Sequence, residues 1–304
     1  MKSITTYPLT EIKNLLQDLG QPSFRAQQLI DWIYVKGATS YDAMTNLPQT
    51  LRTLLSEHYP LHAPRIIDKQ ISHDGTRKYV LEFDDGVKVE TVGIPSFDTT
   101  PEGDPKHLTV CFSTQAGCPM QCAFCATGTE GLTRNLSSGE MILQIITVQN
   151  DFQTRVSHVV AMGQGEPFLN YNATLEALRF MNAKKGLEIG ARHITVSTCG
   201  VIPGIDRFAQ EPEQFTLAVS LHSAQPAIRD ELMPQCTRWP LSDLKEALCS
   251  YVDKTNRRVS LEYLMIKDLN DTPHALQSLC DFADGLLSVS YTHLRAHETL
   301  SDLV

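Results

Sequence analysis

Residues 107–125 read HLTVCFSTQAGCPMQCAFC, and their reading decides the rest. Residues 107–113 are an apolar, β-branched run of strand length. They deliver the chain to Cys118, Cys122 and Cys125, spaced C-x3-C-x2-C. Downstream the texture repeats. SHVVAMG (157–163), HITVST (193–198), FTLAVSLH (215–222) and VSLEYLMI (259–266) predict four more strands. Helical stretches lie between them, such as SSGEMILQIITVQN (137–150) and LSDLKEALCSYVDK (241–254). Apolar strands alternating with helices predict a parallel sheet, open or curled into a barrel. Sites in such folds lie at the C-terminal ends of the strands, where the chemical residues named below fall.

Upstream the pattern is helical. Leu9, Ile12, Leu15, Leu16 and Leu19 share one face, and Gly20 is placed to end that helix. Phe24, Leu29, Ile30 and Ile33 mark a second helix stopped by Gly37. Leu47, Leu51, Leu54 and Leu55 mark a third, with Pro48 in its first turn. Residues 1–65 therefore form a helical domain. KYVLEF and VKVETVGI, around a Gly-containing turn, predict a β-hairpin with Tyr79, Leu81 and Phe83 on one face. PSFDTTPEGDP is a linker, so hairpin and linker span 66–106 and the strand–helix domain 107–287.

The 304 residues, 42% hydrophobic and 20% charged, are those of a globular chain. No segment approaches the roughly 18 apolar residues that span a bilayer. The N-terminus, MKSITTYPLTEIKNLL, has no secretory leader, so eight cysteines point to metal or redox chemistry in the cytoplasm rather than to a disulfide framework. A net charge of −9 argues against a nucleic-acid coat but leaves room for a local basic patch.

Three thiolates within eight residues can wrap one face of an iron–sulfur cube and leave one iron open. The same cysteines also suit zinc with a fourth ligand, or plain packing. After the second strand comes Met162-Gly163-Gln164-Gly165-Glu166-Pro167. Its glycines permit close backbone approach, and its carboxylate suits an ammonium group. Ser197, Ser220 and His222 end later strands, where a hydroxyl or a core histidine is the plain alternative. Cys111 and Glu90 alone would be read as a packed thiol and a solvated carboxylate. Cys199, Cys236, Cys249 and Cys280 match no motif and are read as packing.

The cysteine spacing, with Phe124 before the last thiol, and the Gly-Glu element resemble radical S-adenosylmethionine (SAM) enzymes. The resemblance narrows in CFSTQAGCPMQCAFCATGTEGLTRNL, RVSHVVAMGQGEPFLN, GARHITVSTCGVIP and LAVSLHSAQPAIRDELMP, which are similar to the RlmN group. It extends N-terminally through FRAQQLIDWIYVKG, MTNLPQTLR and VETVGIP, and covers about residues 23–287. Gln164 departs from it, standing where the group usually has Met. The resemblance implies a partial (β/α)6 radical SAM barrel with an N-terminal helical domain and a linking β-hairpin. It implies a [4Fe–4S] cluster on Cys118, Cys122 and Cys125, and SAM against Gly165, Glu166, Ser197, Ser220, Leu221 and His222.

The implied reaction is methylation of adenine carbon 2 in 23S rRNA and tRNA; a C8-methylating relative and a non-catalytic RNA-binding remnant share the same motifs. That carbon is electron-poor, so a carbon radical adds where an ordinary nucleophilic displacement fails. In the implied route a cysteine near the C-terminus carries the methyl group, Glu90 accepts the ring proton, and Cys111 resolves the thioether by forming a disulfide. An electron donor such as flavodoxin and a monomeric state go with it. Arg25, Lys36, Arg52, Arg65 and Lys69 offer an RNA-handling surface or are scattered solubilising charges. From residue 288 the tail SVSYTHLRAHETLSDLV leaves the family pattern. The family's sixth strand, SAM-contacting Asn and methyl-carrying cysteine are not expected there, although the tail's composition tolerates a short strand, and the chain as written is expected not to methylate RNA.

Overall fold

The structure, a computed structural model, describes residues 3–97 and 105–294. Most of the PSFDTTPEGDP linker and everything after residue 294 lie outside the described residues. In chain order the helices α1 (Leu9–Asp18), α2 (Ser23–Ile30) and α3 (Gln49–His58) come first. They precede β1 (Arg65–Ile71), β2 (Arg77–Glu82), β3 (Lys88–Ser96) and β4 (His107–Cys111). Then follow β5 (Gln115–Gly117), α4 (Ala126–Glu130), β6 (Leu132–Asn135), α5 (Ser138–Phe152), β7 (His158–Ala161) and α6 (Tyr171–Asn182). The remainder is β8 (Ile194–Thr198), α7 (Ile202–Phe208), β9 (Thr216–Ser220), α8 (Pro226–Leu232), α9 (Leu241–Thr255), β10 (Val259–Met265), α10 (Pro273–Ala283) and β11 (Ser288–Leu294). The α/β alternation is the one the sequence predicts.

Two compact units share these elements. The first holds residues 1–116, 133–165 and 170–194. Its strands lie in the order β1-β2-β3-β4-β7, antiparallel up to β4, with β4 and β7 parallel. Tyr79, Leu81 and Phe83 are buried on one hairpin face, as their alternation predicts. The α5 helix is apolar on nearly every side and is buried along most of its length. A capping box of Ser137 and Glu140 starts it. Gly93 on β3 makes room for α5: a Cβ there would meet Phe152 at 2.6 Å. The N-terminal helices seat on the same helix, with Tyr34 Oη donating to the Thr5 carbonyl at 3.0 Å beside Gly139. Phe24 is the exception in α2; it is 54% exposed and belongs to no core.

The second unit holds residues 117–132, 166–169 and 195 onward. Its strands β8, β9, β10 and β11 are all parallel. Two strands overturn the sequence reading. Arg65–Ile71, nearly all of it in the hairpin-and-linker segment but given no strand of its own there, forms β1; all seven residues are exposed, so no in–out alternation marks it. Ser288–Leu294, read as a departure with no sixth strand, pairs with β10 over its whole length, Val259 opposite Ser288 through Met265 opposite Leu294. Parallel pairing needs only extended backbone and a free edge, and SVSYTHL supplies β-formers without a proline.

Candidate active site

The cysteine loop is positioned by Gly117, whose φ of +75° favours glycine. A Cβ there would stand 2.0 Å from the Gly131 carbonyl oxygen. That oxygen accepts the Cys118 N–H at 2.9 Å, which ties the start of the loop to its end. Gln121, also left-handed at φ 51°, turns the chain between the first two cysteines. The Cys125 N–H then donates to the Cys122 carbonyl at 3.0 Å. Gly117→Ala adds left-handed strain of about 1–3 kcal/mol to an overlap that no rotamer relieves. The variant is expected to lose most of its reconstituted iron while its far-ultraviolet circular dichroism stays near wild type. Iron binding equal to the wild type would show that Gly117 does not set the loop.

All three thiols are half-buried and none is in a disulfide. Burial pushes the Cys122 thiol up to about 12, and Cys236, Cys118, Cys125 and Glu166 add to the shift. A thiol held neutral by burial and by its neighbours is one that a cationic iron–sulfur core relieves. Among the described residues no three His, Cys, Asp or Glu side chains are gathered tightly enough for one metal ion. A four-iron cube sets a different iron against each thiolate and asks for a wider triangle. The residues fit the cluster.

In the same unit Glu166 is 3% exposed. Its Oε1 accepts the Phe168 N–H at 3.0 Å and its Oε2 the Cys199 N–H at 2.8 Å. Burial raises its pKa, and the hydrogen bonds from Cys199 and Phe168 oppose that rise. These bonds, with the Thr198 and Cys199 side chains beside them, fix the carboxyl group in place.

Ser197 on β8 and Ser220 at the end of β9 both donate to Glu262 Oε2 on β10, at 2.8 and 3.0 Å. The Leu221 and His222 N–H groups donate to the Glu262 carbonyl at 3.0 and 3.1 Å. Leu221 has its side chain wholly buried, so only its backbone can face a ligand. His222 sits at φ 54°, its Nδ1 accepting the Leu264 N–H at 3.1 Å. The neutral ring therefore carries its proton on Nε2. Phe124, from the cysteine loop, meets the His222 ring edge-on at 4.7 Å. Glu262 was not singled out from the sequence, because a Glu in an alternating strand reads as solvated.

The first unit carries the other predicted site residues. Gly165, at φ 98°, lies so close to Gln115 that a Cβ would meet its side chain at 2.5 Å. Gln164 donates its N–H to Ser113 Oγ at 2.9 Å, yet among the described residues its buried Oε1 has no partner. Gln164→Met, the residue usual in the RlmN group, is expected to stabilise the chain by about 1 kcal/mol, since an unsatisfied buried carbonyl costs that much or more. Urea melts would show it, and a lower midpoint would contradict it.

Cys111 ends β4 opposite Val92 of β3, and Glu90 lies two residues before Val92. Opposed residues share a face and alternate ones repeat it, so Glu90 and Cys111 stand on one half-buried sheet face. Lys78 on β2 pairs with Glu90 Oε1 at 2.6 Å. Behind them the buried Gln144 holds Ser113, accepting its N–H at 2.8 Å and donating to its carbonyl at 2.9 Å. Gln144 was also missed, although one polar residue inside MILQIIT is a readable signal.

Cys199 and Cys236 are buried, Cys249 is half-buried and Cys280 is exposed. Of the five N-terminal cations, Arg65 is taken by Glu82 and Lys69 by Asp151. Lys36 lies 3.8 Å over the Trp32 ring and Arg25 4.8 Å over Phe24, while Arg52 donates to the Asp42 carbonyl. Among the described residues no helix is long and apolar enough to cross a membrane.

Comparison with known proteins meets this geometry at both ends of the chain. Residues 4–60 match the ribosomal RNA large subunit methyltransferase N-terminal domain, and residues 112–279 match the radical SAM superfamily. "Probable dual-specificity RNA methyltransferase RlmN" of Bacillus subtilis is 42% identical over 290 residues, 93% of this chain and 77% of that one. Its namesake in Akkermansia muciniphila is 41% identical over 93% of this chain and 79% of its own length. A radical SAM methyltransferase from Sphaerobacter thermophilus, known as a crystal structure, superposes with a TM-score of 0.85 and 39% identity. It covers 96% of this chain and 84% of that one. A radical SAM superfamily implies a [4Fe–4S] cluster and SAM, which is what the three-thiol loop fits. With the helical segment matching one family domain and the strand–helix repeat the other, the chain belongs to the RlmN family of radical SAM methyltransferases.

Proposed function

We propose that the activity of this chain, once a C-terminal methyl-carrying cysteine is joined to it, is methylation of carbon 2 of adenine in 23S rRNA and tRNA by a radical route. A [4Fe–4S] cluster is held by Cys118, Cys122 and Cys125, and SAM lies against Gly165, Glu166, Ser197, Ser220, Leu221 and His222. The observation that carries the reading is the second unit. One packed body brings together the three-thiol loop, the buried Glu166 carboxylate and the polar strand ends of β8 and β9. When bound, the cluster supplies the single electron that splits SAM. Glu166 receives the SAM ammonium. Glu90 takes the proton leaving the ring, with Lys78 as its counter-ion. Cys111, on the same sheet face, attacks the thioether sulfur of the methyl-carrying cysteine, so that an S–S bond forms as the S–C bond breaks and the released carbon takes a proton to become the methyl group. Phe24 and Arg25, with Trp32 and Lys36, give the helical segment the ring-and-cation surface that unstacked RNA bases meet. An electron donor such as flavodoxin, a monomer and a cytoplasmic location complete the proposal.

The test is methyl transfer from labelled SAM to unmodified RNA, with the product nucleoside identified after digestion. The chain as given and the chain extended by a relative's C-terminal segment are both assayed. The extended chain is expected to make 2-methyladenosine, lost on Cys111→Ala and on Glu90→Gln, and the chain as given to make none. 8-Methyladenosine, or no methylated adenosine from either protein while SAM is cleaved normally, would overturn the assignment.

A further inference from the structure

We propose that Glu262 sets the hydrogen-bond polarity of the SAM pocket. It turns Ser197 and Ser220 into acceptors toward the ligand and fits this corner to the paired hydroxyls of the SAM ribose. The inference rests on the SAM-binding reading above and adds a residue and a specificity to it.

A serine hydroxyl has one proton to give. Ser197 and Ser220 both give theirs to the same oxygen, Glu262 Oε2, at 2.8 and 3.0 Å. Strand register makes the arrangement obligatory. Glu262 lies directly opposite Ser220, and Ser197 lies opposite Ala218, two residues before Ser220 on the same face. The Glu262 carbonyl, accepting the Leu221 and His222 N–H groups, locks the end of β9 to β10, so carboxylate and hydroxyls cannot drift apart. Among the described residues, nothing donates to Glu262 Oε1.

Toward a ligand, then, two serine oxygens and one carboxylate oxygen present lone pairs and no protons. Such a cup repels a carboxylate and takes donors. SAM carries its donors as one ammonium group, which the reading gives to Glu166, an adenine amine, and two neighbouring ribose hydroxyls. A cluster of acceptors on adjacent strands matches the hydroxyl pair, the one group that offers two donors from neighbouring atoms. Glu262 is thus a positioning residue for both serines, and its own second oxygen completes the cup.

The experiment uses the anaerobically reconstituted holoenzyme and calorimetric titration with SAM, 5′-deoxyadenosine, and the 2′,5′- and 3′,5′-dideoxy nucleosides. In the wild type, loss of either hydroxyl should weaken nucleoside binding about tenfold or more, the scale of one hydrogen bond to a charged group. Glu262→Gln replaces an acceptor by a donor. It should weaken SAM and 5′-deoxyadenosine by a similar factor, leave the dideoxy nucleosides nearly unaffected, and shrink the hydroxyl penalty to about twofold. Iron content should stay at the wild-type value.

A hydroxyl penalty in Glu262→Gln equal to that in the wild type would overturn the assignment while leaving the SAM pocket in place. A wild type that takes neither SAM nor nucleoside would overturn the pocket itself and this assignment with it. If Glu262→Gln loses iron, Ser197→Ala and Ser220→Ala decide the matter, because an unchanged hydroxyl penalty in both would overturn the proposal.

Discussion

Anaerobic reconstitution of Cys118→Ala, Cys122→Ala or Cys125→Ala is expected to leave the protein almost without iron, against about four irons per chain for a wild type holding one Cys-ligated cube. The loss is all-or-none because the three sulfurs are the whole protein donor set, and each meets a different iron. Removing Cys122 takes away a thiol that burial and its neighbours hold neutral, its pKa pushed up to about 12. The variant should keep its far-ultraviolet circular dichroism near that of the metal-free wild type. The visible absorption of the cluster, the iron content and 5′-deoxyadenosine release from SAM should all fall to background together. A variant that kept its iron, or a wild type that bound zinc in its place after reconstitution, would show that these thiols are not a cluster triad.

Glu166→Ala is the second large effect, and it acts on folding and on binding. The carboxylate satisfies two backbone donors, the N–H groups of Phe168 and Cys199, inside a buried turn. Orphaning buried donors costs about 1–3 kcal/mol each, so the urea midpoint should fall clearly. SAM affinity should drop roughly tenfold to a hundredfold, the worth of a charge-assisted hydrogen bond.

The pH dependence has a definite sign. Burial holds the Glu166 carboxyl above the ordinary carboxylate range, against the pull of its Cys199 and Phe168 hydrogen bonds. The folded chain thus holds this proton more readily than the unfolded one. That share of stability is complete below the unfolded pKa and is lost as pH rises through the raised value. An ammonium ligand prefers the ionised form, so SAM binding should tighten over the same rise. Both slopes should vanish in Glu166→Ala, and SAM affinity unchanged by the substitution would mean that the ammonium lies elsewhere.

The helical face of α1, the hairpin face of Tyr79, Leu81 and Phe83, and five parallel strands were legible because burial marks each with a period or an apolar run, and the Gly20 and Gly37 stops because their left-handed backbone favours glycine. The cysteine loop was legible because its spacing is local. Strand β1 was not, since an edge strand exposed on both sides has no period to read. Strand β11 was obscured by a tail that departs from the family pattern, although its residues suffice for parallel pairing. Glu262 shows the deeper limit. Its partners Ser197 and Ser220 are 65 and 42 residues away in sequence, and only strand register brings them to one oxygen. Glu90 and Cys111 are a similar case, joined on one face by the β3–β4 pairing and not by any motif.

The most direct test of a radical SAM centre in this chain is single-turnover cleavage of SAM. Reconstituted protein is reduced anaerobically with dithionite, mixed with SAM, and assayed for 5′-deoxyadenosine by chromatography. The account predicts release of 5′-deoxyadenosine that depends on the reductant and disappears in the Cys118, Cys122, Cys125 and Glu166 alanine variants. Protein carrying its four irons, reduced and saturated with SAM, that left the SAM intact would contradict it.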